Sequence, residues 1–242
     1  MAPQGPPQPG AFHALVLYTL VGALLYAGYE AWSWPAVAPL ARRPPATTAF
    51  IERSRAQQRE ASRPRRVAWT WVDYARISPH LKRAVLVAED IKFFSHRGFD
   101  TAEIGQALRE ALEAGERPRG ASTLTQQLAK NLWLSPSLNP VRKVKEAVLT
   151  WQLERALSKR RILELYLNVV EFGPGLHGVE AASRRYFGKA AAELSEDEAV
   201  QLAATLPKPS SWHPGATSRA YRRYVEIIKR RMATAEFLWR HI

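Results

Sequence analysis

The sequence contains no cysteine, which removes disulfides, thiolate metal sites and a cysteine nucleophile together. Acidic residues are scarce beside basic ones: 22 Asp and Glu against 35 Lys and Arg, a formal charge of +13. So cationic a chain calls for an anionic partner, whether nucleic acid, a phospholipid surface or a phosphorylated substrate. Apolar alternation of period two is nearly missing, Val67–Val72 being the one strand-like run. No internal repeat is visible. The 242 residues leave room for one catalytic domain of roughly 190–200 residues with a short anchor, and none for two enzymes.

Charge is also missing from one long stretch. Ala11–Ala27 is almost wholly apolar, and Tyr29, Trp32 and Trp34 follow it. A helix from Ala11 to Trp32 is about 33 Å long, matching a hydrocarbon core of about 30 Å, and its far end carries the aromatic residues of a membrane interface. Residues 11–34 are therefore expected to be a transmembrane anchor, preceded by a disordered cytoplasmic tail over 1–10. The competing reading is a cleaved signal peptide at Ala36-Val37-Ala38; no basic residue precedes the run and Pro39 would follow the cut directly, both against it. Arg42 and Arg43 after the span point its C-terminal side inward by the positive-inside rule. The chemistry below requires that side to face outward.

Residues 35–66 are Pro-rich and then charged, which predicts a linker with a solvated or headgroup-bound juxtamembrane stretch. From Val67 to Ile242 helical spacing dominates, so the fold class is mostly α. Ser78-Pro79 opens a helix with Leu81, Ala84, Val85 and Ala88 on one face. Asp100 caps a second, with Ile104, Ala107, Leu108 and Ala111 toward the core, and Ser122 caps a third. Val141–Leu157 follows with Val144, Val148, Trp151 and Leu153 as its apolar positions, then Ile162, Leu165, Tyr166 and Val169. Ser195-Glu196-Asp197-Glu198 is a capping box, and Thr217–His241 a basic amphipathic helix.

Three segments place polar residues where a core would not choose them. In Glu89–Asp100 an acid pair ends an apolar run; an apolar wall raises a carboxylate pKa toward what a general base needs near neutral pH. By itself that pair is equally a surface helix end. In Gly120–Asn131, Thr123, Gln126, Gln127 and Lys130 share one helical face at steps of three and four, and a solvated face would more often be Glu and Lys. In Arg142-Lys143-Val144-Lys145-Glu146 the outer pair could be a plain surface ion pair.

Taken in order these segments resemble the motifs of the peptidoglycan glycosyltransferases, glycosyltransferase family 51. The matching residues are Glu89-Asp90, Phe93 and His96–Asp100; Gly120-x-Ser-Thr-Leu-Thr-Gln-Gln-Leu-x-Lys130-Asn131; and Arg142-Lys143-x-x-Glu146. Glu164-x-Tyr166-Leu-Asn168, Glu171-Phe172-Gly173-x-Gly175, Gly178-x-Glu180 and Leu206–Pro209 continue the likeness, which spans Val67 to Trp239. The Ser-x-x-Lys and Lys-Thr-Gly signatures of an appended transpeptidase are absent, so the monofunctional branch is the nearer one. Two positions depart from the family pattern: Ile91, where a polar residue is frequent, and His177, where an aromatic is usual.

The resemblance implies a lysozyme-like helical domain behind a single membrane helix in the cell inner membrane, facing the periplasm. It implies polymerisation of lipid II onto a nascent glycan strand with inversion and release of undecaprenyl diphosphate. Glu89 would be the general base and Glu146 the second essential acid. Substrate would be held by Asp90, Phe93, His96, Ser122, Thr123, Gln126, Gln127, Lys130, Asn131, Arg142 and Lys143, with Asp90 and His96 mainly bracing. No cofactor is obligatory; a divalent cation, Mg2+ or Mn2+, at Glu146 is the one candidate, against Glu146 simply orienting the basic residues. Partners would be the membrane and cell-division or elongation proteins, with no nucleic acid. Leu132-Trp133-Leu134 is either a membrane-dipping patch or core. The rival functions are a muramidase or lytic transglycosylase, which cleaves, and a non-catalytic cell-wall scaffold.

Overall fold

The computed structural model describes residues 9–60, 66–116, 122–137 and 139–242, in two compact units, Met1–Ala36 and Val37–Ile242. The first contains helix α1 (Pro9–Trp32), whose stretch Phe12–Trp32 has a mean hydropathy of 1.5 and no buried residue among those described. The rest of the expected tail, residues 1–8, lies outside the described residues.

The second unit is mostly α, as expected. It begins earlier than Val67, because the described part of the predicted linker up to Glu60 carries two helical segments; residues 61–65 lie outside the described residues. A 3-10 turn at Ala38–Ala41 buries Leu40, and α2 (Ala49–Glu60) buries Ile51 completely. Composition hid this. Only Ile51 and Ser54 of α2 face inward, and the charged remainder reads as solvated.

Helices α3 (Pro79–Glu89), α5 (Leu124–Trp133), α6 (Pro140–Ala156), α7 (Lys159–Val169) and α9 (Glu196–Ala203) build the core. Leu81, Ala84, Val85, Leu128, Leu149, Leu153, Ile162 and Leu165 are fully enclosed in it. Leu132 and Leu134 are buried too, with Trp133 half-buried between them, so the two leucines of that cluster are core packing. A three-stranded sheet of order β1-β3-β2 closes one side: β1 (Ala68–Trp69) runs parallel to β3 (Leu176–His177), and β2 (Glu171–Gly173) antiparallel to it. Of the strand expected over Val67–Val72 only these two β1 residues are strand. Helix α8 (Val179–Phe187) leads on to α9, and α10 (Arg219–Thr234) with a 3-10 turn at Glu236–Arg240 completes the chain.

Several local expectations change. Ser78 sits at the α3 N-terminus, yet its hydroxyl donates to the Leu194 carbonyl (2.8 Å) rather than capping its own helix. Helix α4 (Thr101–Ala114), capped by Asp100, buries only Ala107 and Ala111; Ile104 and Leu108 of its expected core face stand exposed, beside Leu112. On α6 the inward residues are Glu146, Leu149, Thr150 and Leu153, while Val144, Val148 and Trp151 face outward. On α4 only alanines are inside, and on α6 Glu146 and Thr150 share the inner face with Leu149 and Leu153.

Candidate active site

Glu89 is the last residue of α3, half-buried at the end of the apolar run Ala84–Ala88. Burial raises its pKa above 4.5, against the lowering effects of a Gln127 hydrogen bond and the Lys130 charge; Asp90 adds a further push upward. Gln127 Nε2 donates to Glu89 Oε2 at 2.7 Å, and the buried Tyr166 hydroxyl donates to Gln127 Oε1 at 3.0 Å. From α10 the Tyr224 hydroxyl donates to the Ala88 carbonyl at 3.1 Å. That carbonyl is one of the last four of α3, which have no partner within their own helix.

The residues after Glu89 hold α5 in place. Asp90 Oδ2 accepts from the Leu124 backbone N–H (3.0 Å), at the start of α5, where a carboxylate is favoured. His96 Nδ1 accepts from Gly98 N–H (3.2 Å), so its Nε2 carries the proton and donates to Asp90 (3.0 Å). Gly98 has φ +90°, and a Cβ there would lie 2.8 Å from Thr150 Cγ2, so only glycine fits. Its carbonyl accepts from Thr123 Oγ1 at 2.7 Å.

Thr123, not Ser122, caps α5. Its hydroxyl oxygen accepts from Gln126 N–H (3.3 Å), and the Gln126 side chain accepts from Thr123 N–H (2.9 Å). Both side chains are buried and bonded to the backbone, and Thr123 also borders the cleft beside Glu89. Phe93 is also wholly buried, edge-on to Phe94 and His96 under the Lys159 ammonium. Asp90 and His96 are engaged with each other, as bracing requires, and Asn131 is buried. Ser122 is exposed. Gly120 lies outside the described residues.

At the far end of α5 is the cation cluster. Glu146, buried on α6, accepts from Arg142 Nη1 (2.6 Å) on one carboxylate oxygen and pairs with Lys143 Nζ on the other. Arg142 Nε also donates to the Ser137 carbonyl (2.6 Å). Lys130 stands within the fields of both acids. Burial lowers its pKa, as do Arg142 and Lys143; Glu146 and, more weakly, Glu89 pull it back up. Both Glu146 oxygens are already taken by cations, and the described residues hold no group of three His, Asp or Glu able to take a metal. The donor set therefore does not fit the divalent ion considered for Glu146; it fits a carboxylate that sets two cations side by side.

Glu89, Asp90, Lys92, Ser122, Thr123 and Arg231 line a cleft of about 360 Å³. Lys130, Arg142 and Lys143 are not on its walls, and Lys130 is what links the two groups electrostatically. The structure thus joins Glu89, Gln127, Lys130, Arg142, Lys143 and Glu146, puts Asp90, Ser122 and Thr123 at the cleft, and encloses Phe93 and Gln126, with His96 bonded to Asp90. Reading the sequence missed Tyr166, Tyr224 and Arg231. Tyr166 carried a faint signal, a single hydroxyl in an otherwise apolar helical face, which must find a partner once buried. It also missed Glu154, which accepts from Thr125 Oγ1 (2.5 Å) and Lys159 Nζ (2.8 Å) and ties α5, α6 and α7 together.

Residues 55–233 match the Transglycosylase family. Similar proteins include the biosynthetic peptidoglycan transglycosylase of Thiobacillus denitrificans, 46% identical over 206 residues, which cover 85% of this chain and 89% of the relative. The protein of that name from Aromatoleum aromaticum is 47% identical over 191 residues, 78% of this chain and 83% of its own. That of Dechloromonas aromatica is 39% identical over 227 residues, 94% and 97% of the two chains.

Proposed function

Because this chain belongs to the transglycosylase family, we propose that it is a peptidoglycan glycosyltransferase that polymerises lipid II into glycan strands at the outer face of the plasma membrane. The 4-hydroxyl of one lipid-linked disaccharide attacks the anomeric carbon of the growing strand. A new C–O bond forms there as the bond to the diphosphate oxygen breaks on the opposite face, so the anomer inverts. The hydroxyl proton goes to Glu89, and the bond's electron pair leaves with the polyprenyl diphosphate.

Each demand of that reaction has a group here. A sugar hydroxyl is a poor nucleophile and needs a base with a proton affinity above that of an ordinary carboxylate, which burial supplies at Glu89. The diphosphate leaves without protonation once its charge is met, the role of Lys130, Arg142 and Lys143. Glu146 aligns the last two. The observation that carries the reading is Lys130, placed where the charges of both Glu89 and Glu146 act on it. A cleaving enzyme of lysozyme type has no diphosphate to receive and no use for such a cluster.

The membrane setting rests on the apolar span of α1 and on the outward apolar rows of α4 and α6, which suit a catalytic unit working against a bilayer. Association with cell-division or elongation proteins belongs to the same reading.

Glu89→Gln, purified and given lipid II, is expected to lose polymerisation while still binding the lipid. Turnover near that of the unaltered protein would remove Glu89 as base.

A further inference from the structure

The structure leaves Tyr166 and Gln127 outside the reaction as written, although they form a part-buried chain that runs from the enclosed Tyr166 to the base. We propose that Tyr166 is a positioning residue for that base: acting through Gln127, it holds Glu89 Oε2 and leaves Oε1 to take the sugar proton. The inference rests on the reading of Glu89 as general base.

The two ends of a glutamine amide are nearly the same shape, so its neighbours decide which way it points. On one side of Gln127 is the Glu89 carboxylate, which when ionised can only accept. The NH2 end must face it, and it does, at 2.7 Å. The carbonyl end then needs a donor in a buried place, and Tyr166 provides one at 3.0 Å. Burial, reinforced by the negative charge of Glu89, holds the Tyr166 phenol well above its ordinary 10, so it remains a donor throughout the working range.

Phenylalanine at 166 would fill nearly the same volume and leave the amide oxygen without its donor. The amide could then turn, setting its oxygen against the carboxylate, an arrangement tolerable only with Glu89 protonated. Removing one hydroxyl that never meets substrate thus raises the proton affinity of the base. The other groups facing Glu89 are Asp90 beside it, Lys130 on α5, and Tyr224 and Arg231 on α10. Tyr224 spends its hydroxyl on the Ala88 carbonyl (3.1 Å) and so does not duplicate Tyr166.

The test is the pH profile of initial polymerisation rates for the full chain with lipid II. Tyr166→Phe should lower kcat roughly tenfold, about the worth of one hydrogen bond. KM should change little, and the acidic limb should rise by about one pH unit. Site-specific 3-fluorotyrosine at 166, a more acidic donor that keeps the packing, should move the limb the other way. In a Gln127→Ala background Tyr166→Phe should change neither kcat nor the limb further. A loss of rate with an unmoved limb, or a second full loss in the Gln127→Ala background, overturns the proposal, and should Tyr166→Phe not fold, an unmoved limb with fluorotyrosine does so. Glu89→Gln run alongside separates the two ideas. An active Glu89→Gln defeats the base assignment itself, whereas an inactive one with an unmoved Tyr166→Phe limb defeats only the role given to Tyr166.

Discussion

At the scale of single residues, polarity alone does not say what a side chain does. Thr123, Gln126 and Gln127 look alike in the sequence, but the first two are consumed by a helix cap and only the third reaches Glu89. The two acids differ as sharply. Glu146 is buried with both oxygens paired to cations; Glu89 is held on one oxygen by a neutral amide in an apolar setting. That setting has a cost in stability whose sign can be worked out. The folded-state pKa of Glu89 lies above its ordinary 4.5, so between those values the folded state binds more protons than the unfolded state, and stability falls as pH rises through the window. Glu89→Gln should therefore melt higher than the unaltered protein at neutral pH, with the gain fading below pH 4.5. Thermal unfolding as a function of pH checks this, and a lower melting point at pH 7 would contradict it.

At the scale of elements, α2 shows how a helix escapes notice. Its hold on the domain is the enclosed Ile51 and a hydrogen bond from Ser54 to His177 on β3 (2.8 Å), too few inward residues to produce a visible apolar period. His177 Nδ1 faces the Val169 carbonyl (3.3 Å), which accepts only, so Nε2 is the bare nitrogen that takes the Ser54 proton. The residue that departs from the usual aromatic is thus the one that binds α2. Burial lowers its pKa from 6.5 to about 4, so the unfolded state binds more protons between those values. Stability is fully present above pH 6.5 and declines as pH falls toward 4. His177→Phe should flatten the fall of the melting temperature across that range. An equal slope in both proteins would mean that His177 does not carry it.

At the scale of the whole molecule, large apolar side chains remain outside on α4 and α6: Leu108, Leu112, Val144 and Trp151 are each more than half exposed. The domain from Val37 onward should therefore bind vesicles without α1. Val144→Lys with Trp151→Ala should weaken that binding roughly tenfold per side chain, the scale of burying one apolar group. Trp133→Ala, half-buried between the enclosed Leu132 and Leu134, should lower the melting temperature and leave vesicle binding intact. Sedimentation with liposomes measures both. Equal binding by the Val144→Lys, Trp151→Ala protein would rule out these faces as a membrane contact.

The sequence by itself determined the helical class, the apolar span of α1 and the family to which the chain belongs, because helical periodicity, an uninterrupted apolar run and ordered motifs are all local properties of a chain. Which polar residues would be spent on caps, that α2 would dock through two side chains, and that Tyr166 would stand behind Gln127 were decided only in three dimensions. A cap is closed three residues away, as between Thr123 and Gln126, but which of Thr123 and Ser122 closes it follows from packing; the other partners lie far along the chain: Tyr166 from Gln127, Ser54 from His177, Tyr224 from Ala88.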